Sequence, residues 1–299
     1  METRQLGRTG MNVTILGFGA AEIGFQTIDQ STVKQLVNEA LDAGLNIIDT
    51  AECYRDSEEL LGNAVSHRRK DFFLFTKCGH DGKSFNLPDW DPKMLAQSID
   101  RSLQRLKTDR VDLLQIHSCT EQQLEQGDIV AAVQKARQAG KTRFIGFSGD
   151  SDAALWAVNS GFFDTLQISI SLADQEALDA ILPAAKKKNI GVIVKRPIAN
   201  AVWRHLAPTV PPYQKPYWDR LQKLDYPFLK SSAEESISTA LRFTLNCPGV
   251  TTAIVGTAKP GRWKENAEML AAGPLPAADF NAIRDRWKEI SSPNWIGLT

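Results

Sequence analysis

Long apolar runs are missing from this chain: none approaches the roughly 18–20 residues that a membrane-spanning helix requires, which argues against an integral helical membrane protein. The first residues, METRQLGRTGMNVTILGFG, lack the apolar core of a secretory signal, so the expected location is cytoplasmic. An excess of charge of one sign is also absent. Lys plus Arg and Asp plus Glu number 35 each, which favours neither a nucleic acid nor an anionic membrane surface as partner. Cysteine is scarce and dispersed: Cys53, Cys78, Cys119 and Cys247 include no C-x-x-C, which fits a reducing compartment better than a disulfide framework. There is no G-x-G-x-x-G, since GFGAAEIG has the wrong spacing, so a Rossmann dinucleotide site is unsupported. Internal repeats and low-complexity linkers are lacking too. What is present is 299 residues with 42% apolar and 23% charged side chains, enough for a large core.

Eight short apolar runs, rich in β-branched residues, recur along the chain: 14–19, 45–49, 72–77, 111–116, 143–148, 165–170, 191–196 and 251–256. Their nearly continuous hydrophobicity is that of parallel strands buried on both faces. Amphipathic stretches separate them. Val33, Leu36, Val37, Ala40 and Leu41 follow helical spacing, with Gly44 as the stop. Asp91 and Pro92 open a second helix as N-cap and first residue, and Ser231 with Glu234, or Ser232 with Glu235, makes a capping box for a later one. Pro183 predicts a helix that starts, restarts or kinks there. Strands alternating with helices eight times over give a single (β/α)8 barrel domain over residues 1–299, with an open doubly wound sheet as the competing architecture. The segment around GRTG, between apolar arms, reads as an N-terminal β-hairpin plugging the barrel bottom. Two stretches break the alternation, 78–91 and 197–230, and read as loops over the C-terminal mouth. Trp90, Trp203, Tyr213 and Trp218 then make a candidate aromatic wall.

Asp49, Tyr54, Lys77 and His117 sit at or just past the C-terminal ends of the second, third and fourth runs. Consecutive parallel strands bring them to the rim where barrel active sites lie. Hydride transfer to a carbonyl builds negative charge on oxygen, which must be protonated or held. A tyrosine hydroxyl titrates near about 10 and is a sluggish acid at neutral pH. An ammonium beside it favours the phenolate, and a carboxylate fixes that ammonium. Tyr54, Lys77 and Asp49 have the side chains for those roles, and His117 for orienting the carbonyl or sharing the proton. Each residue alone has an ordinary structural explanation; together at consecutive strand ends they point to catalysis. Farther on, GTAKPGRWKEN follows the eighth run and opens a helix at Pro260, where helix N–H groups with Lys259 and Arg262 suit a phosphate.

LGRTGMNVTILGFG, LNIIDTAECYRDSEELLG, FLFTKCG, DLLQIHS, IGFSGD and IVGTAKPGRWKEN resemble the aldo-keto reductase family, over about residues 3–272. That resemblance implies a (β/α)8 fold, an NADPH cofactor extended across the C-terminal mouth and a small-molecule carbonyl substrate. It implies Asp49, Tyr54, Lys77 and His117 as the catalytic tetrad, with Tyr54 as general acid. It implies Ser148 and Gln167 at the nicotinamide carboxamide, and Thr257, Arg262, Glu265 and Asn266 at the adenosine end. Gly19, Ala20, Lys195, Arg196, Gly256 and Lys259 complete the implied cofactor set. Two positions depart from the family: Gly149 stands where an Asn is usual, and Lys195 where a tyrosine stacks on the nicotinamide. Those departures motivate a second reading, an NADPH-binding regulatory or sensor protein on the same barrel. A third, a metal-assisted hydrolase, draws only on Cys53, Cys78, Cys119, His80 and His117, and without a C-x-x-C no metal site is assigned.

Overall fold

The computed structural model describes residues 1–298. It opens with the hairpin of β1 (Thr3–Gln5) and β2 (Asn12–Thr14), paired antiparallel. Eight parallel strands follow: β3 (Leu16–Gly19), β4 (Ile47–Asp49), β5 (Phe73–Cys78), β6 (Val111–His117), β7 (Thr142–Ser148), β8 (Thr165–Ser169), β9 (Gly191–Lys195) and β10 (Thr252–Gly256). β10 pairs with β3, Ala253 opposite Leu16 and Gly256 opposite Gly19, which closes the barrel and excludes the open sheet. Every apolar run became a strand, each end within two residues of its expected place.

The two-residue alternation of a strand explains both the continuous hydrophobicity and the site. Ile48, Leu74, Leu114 and Val194 point outward into the core between strands and helices. Ile47, Phe75, Leu113 and Ile193 point inward and meet Leu6, Met11 and Val13 of the hairpin in a separate apolar cluster. The hairpin therefore plugs the barrel floor, each such burial contributing roughly 1.5–3 kcal/mol. Two residues farther along each strand the inward positions are Asp49, Lys77, Gln115 and Lys195. The barrel interior is thus an apolar floor carrying a polar upper layer.

Sequence signals fix the helix ends. Asp29 accepts from the Thr32 N–H at 2.9 Å to cap helix Gln30–Asp42, and Gly44 ends it at φ +95°. Asp91 accepts from Lys93 and Met94 N–H groups ahead of helix Pro92–Arg105. Of the two capping registers, Ser232 with Glu235 is used, before helix Ala233–Asn246. Pro183 lies in the first turn of helix Ile181–Lys187, where its missing N–H is harmless. The stretch 197–230 is a series of tight turns around helix Lys215–Leu224. Tyr217 of that helix is fully buried and donates to Asp174 at 2.9 Å. No helix among the described residues is long and apolar enough to cross a membrane.

Candidate active site

At the C-terminal mouth a cavity of about 840 Å³ opens among the strand ends, lined among others by Gly19, Tyr54, His80, His117, Gln167 and Lys195. Below it lies an ion pair with both side chains 1% exposed: Lys77 Nζ donates to Asp49 Oδ1 at 2.5 Å and to the Thr50 carbonyl at 2.8 Å. The other carboxylate oxygen accepts from Gln115 Nε2 at 3.1 Å and Gln167 Nε2 at 2.8 Å. Asp49 is thereby fully occupied, as a buried charge must be. Lys77 Nζ lies 4.9 Å from the centroid of the Tyr54 ring. The His117 ring stands edge-on to Tyr54 at 5.9 Å, and its Nδ1 is 3.5 Å from Cys53 Sγ.

Burial depresses the Lys77 ammonium, but Asp49, Tyr54 and Cys53 together outweigh that and hold Lys77 above its ordinary range. Tyr54 departs from expectation. Burial raises its phenol above 10, and Lys77 offsets only part of that rise, so Tyr54 keeps its proton throughout the neutral range. Burial, then the positive charges of Lys77, His80, Lys195 and Arg196, hold His117 well below 6.5 and therefore neutral.

The Aldo/keto reductase family model matches residues 15–288. The chain belongs to the aldo/keto reductase family. L-Galactose dehydrogenase of Arabidopsis thaliana is 30% identical over 317 residues, covering 99% of this chain and 98% of that one. D-threo-Aldose 1-dehydrogenase of a Pseudomonas species is 28% identical over 308 residues, covering 90% and 92%. Among solved structures, the holo form of aldo-keto reductase AKR11C1 from Bacillus halodurans superposes with a TM-score of 0.84 at 25% identity, covering 99% of each chain. The protein is thus an oxidoreductase of the aldo/keto reductase family.

Within that family frame the two departures acquire physical reasons. A Cβ at Gly149 would come within 2.6 Å of the buried Phe147 ring, so this barrel has no room for a side chain there. Lys195 does not lie free at the cavity wall; its Nζ pairs with the buried Asp150 at 2.9 Å. Arg196, at φ +56°, bonds Ser169 Oγ at 2.7 Å, the Tyr213 hydroxyl and the Leu298 carbonyl. Ser148 donates to Gln167 Oε1 at 3.2 Å, so both expected carboxamide ligands also belong to the Asp49 network. Gly256 is exposed at the lip beside Gly19, and Ala20, the residue after Gly19, is buried. The helix expected at Pro260 begins at Arg262, after Gly261 in the left-handed region. Thr257 accepts from the Lys259 N–H at 3.0 Å, Arg262 pairs with Glu265 at 2.9 Å, and Asn266 is buried. Of the four aromatics expected to form a wall, Tyr213 lines the cavity, whereas Trp90, Trp203 and Trp218 pack against the surrounding core. No group of three or more His, Cys, Asp or Glu among the described residues is arranged to hold a metal ion.

Sequence reasoning missed Gln115, Asp150 and Glu52. Gln115 carried a signal, a lone amide inside the apolar run DLLQI. Glu52 is 1% exposed; it accepts from the Gly79 and His80 N–H groups, which fixes the turn after β5. Burial lifts its carboxyl from 4.5 to about 7, against the pull of those two N–H groups. A raised carboxyl pKa means the folded state holds more protons, so stability falls as pH rises from 4.5 to about 7 and is level above. Glu52→Gln keeps an acceptor for the turn and removes the charge. Its urea stability is expected to exceed that of the wild type by about 1–3 kcal/mol at pH 8 and to match it near pH 4.5. Equal differences at both pH values would refute that origin.

Proposed function

We propose that the chain is an NADPH-dependent oxidoreductase that reduces the carbonyl of a sugar-like aldehyde or a ketone to an alcohol, with Tyr54 as general acid. The observation that carries this reading is Tyr54 at the cavity wall, set over the buried Lys77–Asp49 pair and beside His117, where burial favours the protonated phenol and the neutral imidazole. The names of the relatives, acting on galactose and on aldoses, support a polyhydroxylated aldehyde as substrate class.

The residues at the mouth fit an extended dinucleotide. A Cβ at Gly256 would stand 2.9 Å from Glu22 and 3.2 Å from the Gly19 carbonyl, so the missing side chains keep that rim low. Lys259 and Arg262 offer cationic donors at the opening of helix Arg262–Met269, suited to a 2′-phosphate. When bound, NADPH supplies the hydride. His117, neutral, offers a ring N–H to orient the carbonyl oxygen. Tyr54 then gives its proton to that oxygen as negative charge develops there. Two Lys77 N–H groups are held by Asp49 and Thr50, which leaves the third for the phenolate that remains. Asp49, locked by Gln115 and Gln167, keeps the ammonium in place.

Calorimetric titration with NADPH and NADH tests the cofactor assignment without a substrate. NADPH is expected to bind more tightly, and Arg262→Ala to weaken NADPH about 10–100-fold while leaving NADH nearly unchanged, as loss of a charged hydrogen bond implies. Equal affinities for the two nucleotides would defeat the NADP preference. Tight binding without turnover of any carbonyl in a broad panel would instead favour a sensor.

A further inference from the structure

A second imidazole stands in the cavity beside His117. His80 lines the cavity wall and is held on three sides. Its ring is edge-on to Trp90 at 4.6 Å and to His117 at 4.9 Å. Its backbone N–H donates to the Glu52 carboxylate at 3.0 Å, and the preceding Gly79 sits at φ +139°, where only glycine is unstrained. Trp90, packed against the His80 ring, is anchored by its indole N–H to the His117 carbonyl at 3.1 Å. A side chain built into place this firmly has little rotamer freedom left to lose on meeting a ligand.

One ring nitrogen of His80 donates to the His117 backbone carbonyl, and no protein donor among the described residues meets the other. The polar groups nearest to it are acceptors: the Asp89 carboxylate, 4.0 Å from Nδ1, and the His117 carbonyl. A neutral imidazole has one donor and one acceptor nitrogen. Burial lowers the His80 pKa below 6.5, so the neutral form prevails at pH 7. The donor N–H has acceptors on the protein side, but the lone-pair nitrogen finds no donor there. An unsatisfied acceptor at a cavity wall selects a ligand that brings an O–H.

We infer that His80 is a specificity-determining residue that accepts a hydrogen bond from a hydroxyl next to the substrate carbonyl, so that the site takes α-hydroxy aldehydes in preference to simple aldehydes. This inference rests on the proposed carbonyl reduction and narrows its substrate. His117 orients the carbonyl oxygen, and His80, one ring away, reads the adjacent carbon's hydroxyl. The O–H is the recognised feature; replacing it with a methyl group removes the donor and strands the imidazole nitrogen.

The test is NADPH-dependent reduction of glycolaldehyde and of propanal, which puts CH₃ in place of OH. The wild type is expected to favour glycolaldehyde by about 10–100-fold in kcat/KM. His80→Phe should bring the ratio near unity by losing glycolaldehyde activity alone, and propanal turnover certifies that this variant is folded. His80→Gln, which restores a hydrogen-bonding side chain, should recover part of the preference. A second readout is independent of turnover. With NADP⁺ bound, D-sorbitol should move the imidazole proton NMR signal of one of the four histidines, the signal missing from His80→Gln, while propan-1-ol leaves it in place. Equal wild-type activity on the two aldehydes, or a preference that survives in His80→Phe, overturns the role of His80 alone. A wild type inert to both aldehydes overturns the carbonyl-reductase reading and this inference with it.

Discussion

Tyr54→Phe is expected to lower kcat for carbonyl reduction about 10²–10⁴-fold, the range for removal of a general acid, while NADPH affinity changes little. The substitution removes one oxygen from a ring otherwise held by packing: Phe25 lies 5.6 Å away, His117 5.9 Å and the Lys77 ammonium 4.9 Å. The aromatic ring, and so the cavity shape, persists in the variant, and a loss of rate then reports proton transfer. The electrostatics add a pH profile. Tyr54 stays protonated to above 10 and His117 stays neutral down to below 6.5, so kcat/KM for reduction should be flat between those limits. A tyrosine acidified by its lysine would instead show activity declining from neutral pH upward. Full turnover by Tyr54→Phe would remove Tyr54 from the chemistry, since another group must then supply the proton.

How much of this was written in the sequence depends on the range of the interaction involved. Strand positions and helix ends were legible because local patterns set them. The apolar runs at 45–49 and 72–77 became β4 and β5, and Asp29, Asp91 and Ser232 cap the helices they precede. The convergence of Asp49, Lys77 and His117 was legible as well, because strands in parallel register deliver their ends to one rim. The register pairs Lys77 with Gln115 and His117 with Ser148, which sets His117 one inward position beyond the Lys77 layer, at the rim.

Other features required contacts that no local pattern encodes. Lys195 stood out as replacing a stacking aromatic, but Asp150, two residues past β7, pairs with it. Trp203 and Trp218 looked like wall residues because proline and aromatics crowd 197–230, yet the turns there face their rings toward the core. The acidity of Tyr54 was misjudged in sign because the sequence shows the neighbouring charge and not the depth of burial, and here burial is the larger effect. The polar upper layer also joins fold to chemistry: Gln115 and Gln167 are barrel interior and Asp49 ligands at once.

That coupling sets the second large effect. Lys77→Met should destabilise the fold by about 3–5 kcal/mol, because it leaves the Asp49 carboxylate buried with only two amide donors. Methionine is close to lysine in length and apolar, so loss of packing is a small part of the change. The sign of the pH linkage keeps this stabilisation present in ordinary buffers. A lysine whose folded pKa lies above 10.5 contributes fully below 10.5 and fails only as pH rises through that higher value. Asp49→Asn in the Lys77→Met background removes the stranded charge and keeps an oxygen for Gln115 and Gln167. The double variant is therefore expected to regain about 2 kcal/mol of urea stability over Lys77→Met alone. It should stay as inactive as the single variant, since the ammonium that would hold the phenolate is gone from both. Additive losses in the double variant would mean that the pair does not act as a unit, and that Asp49 is solvated rather than sealed beneath the site.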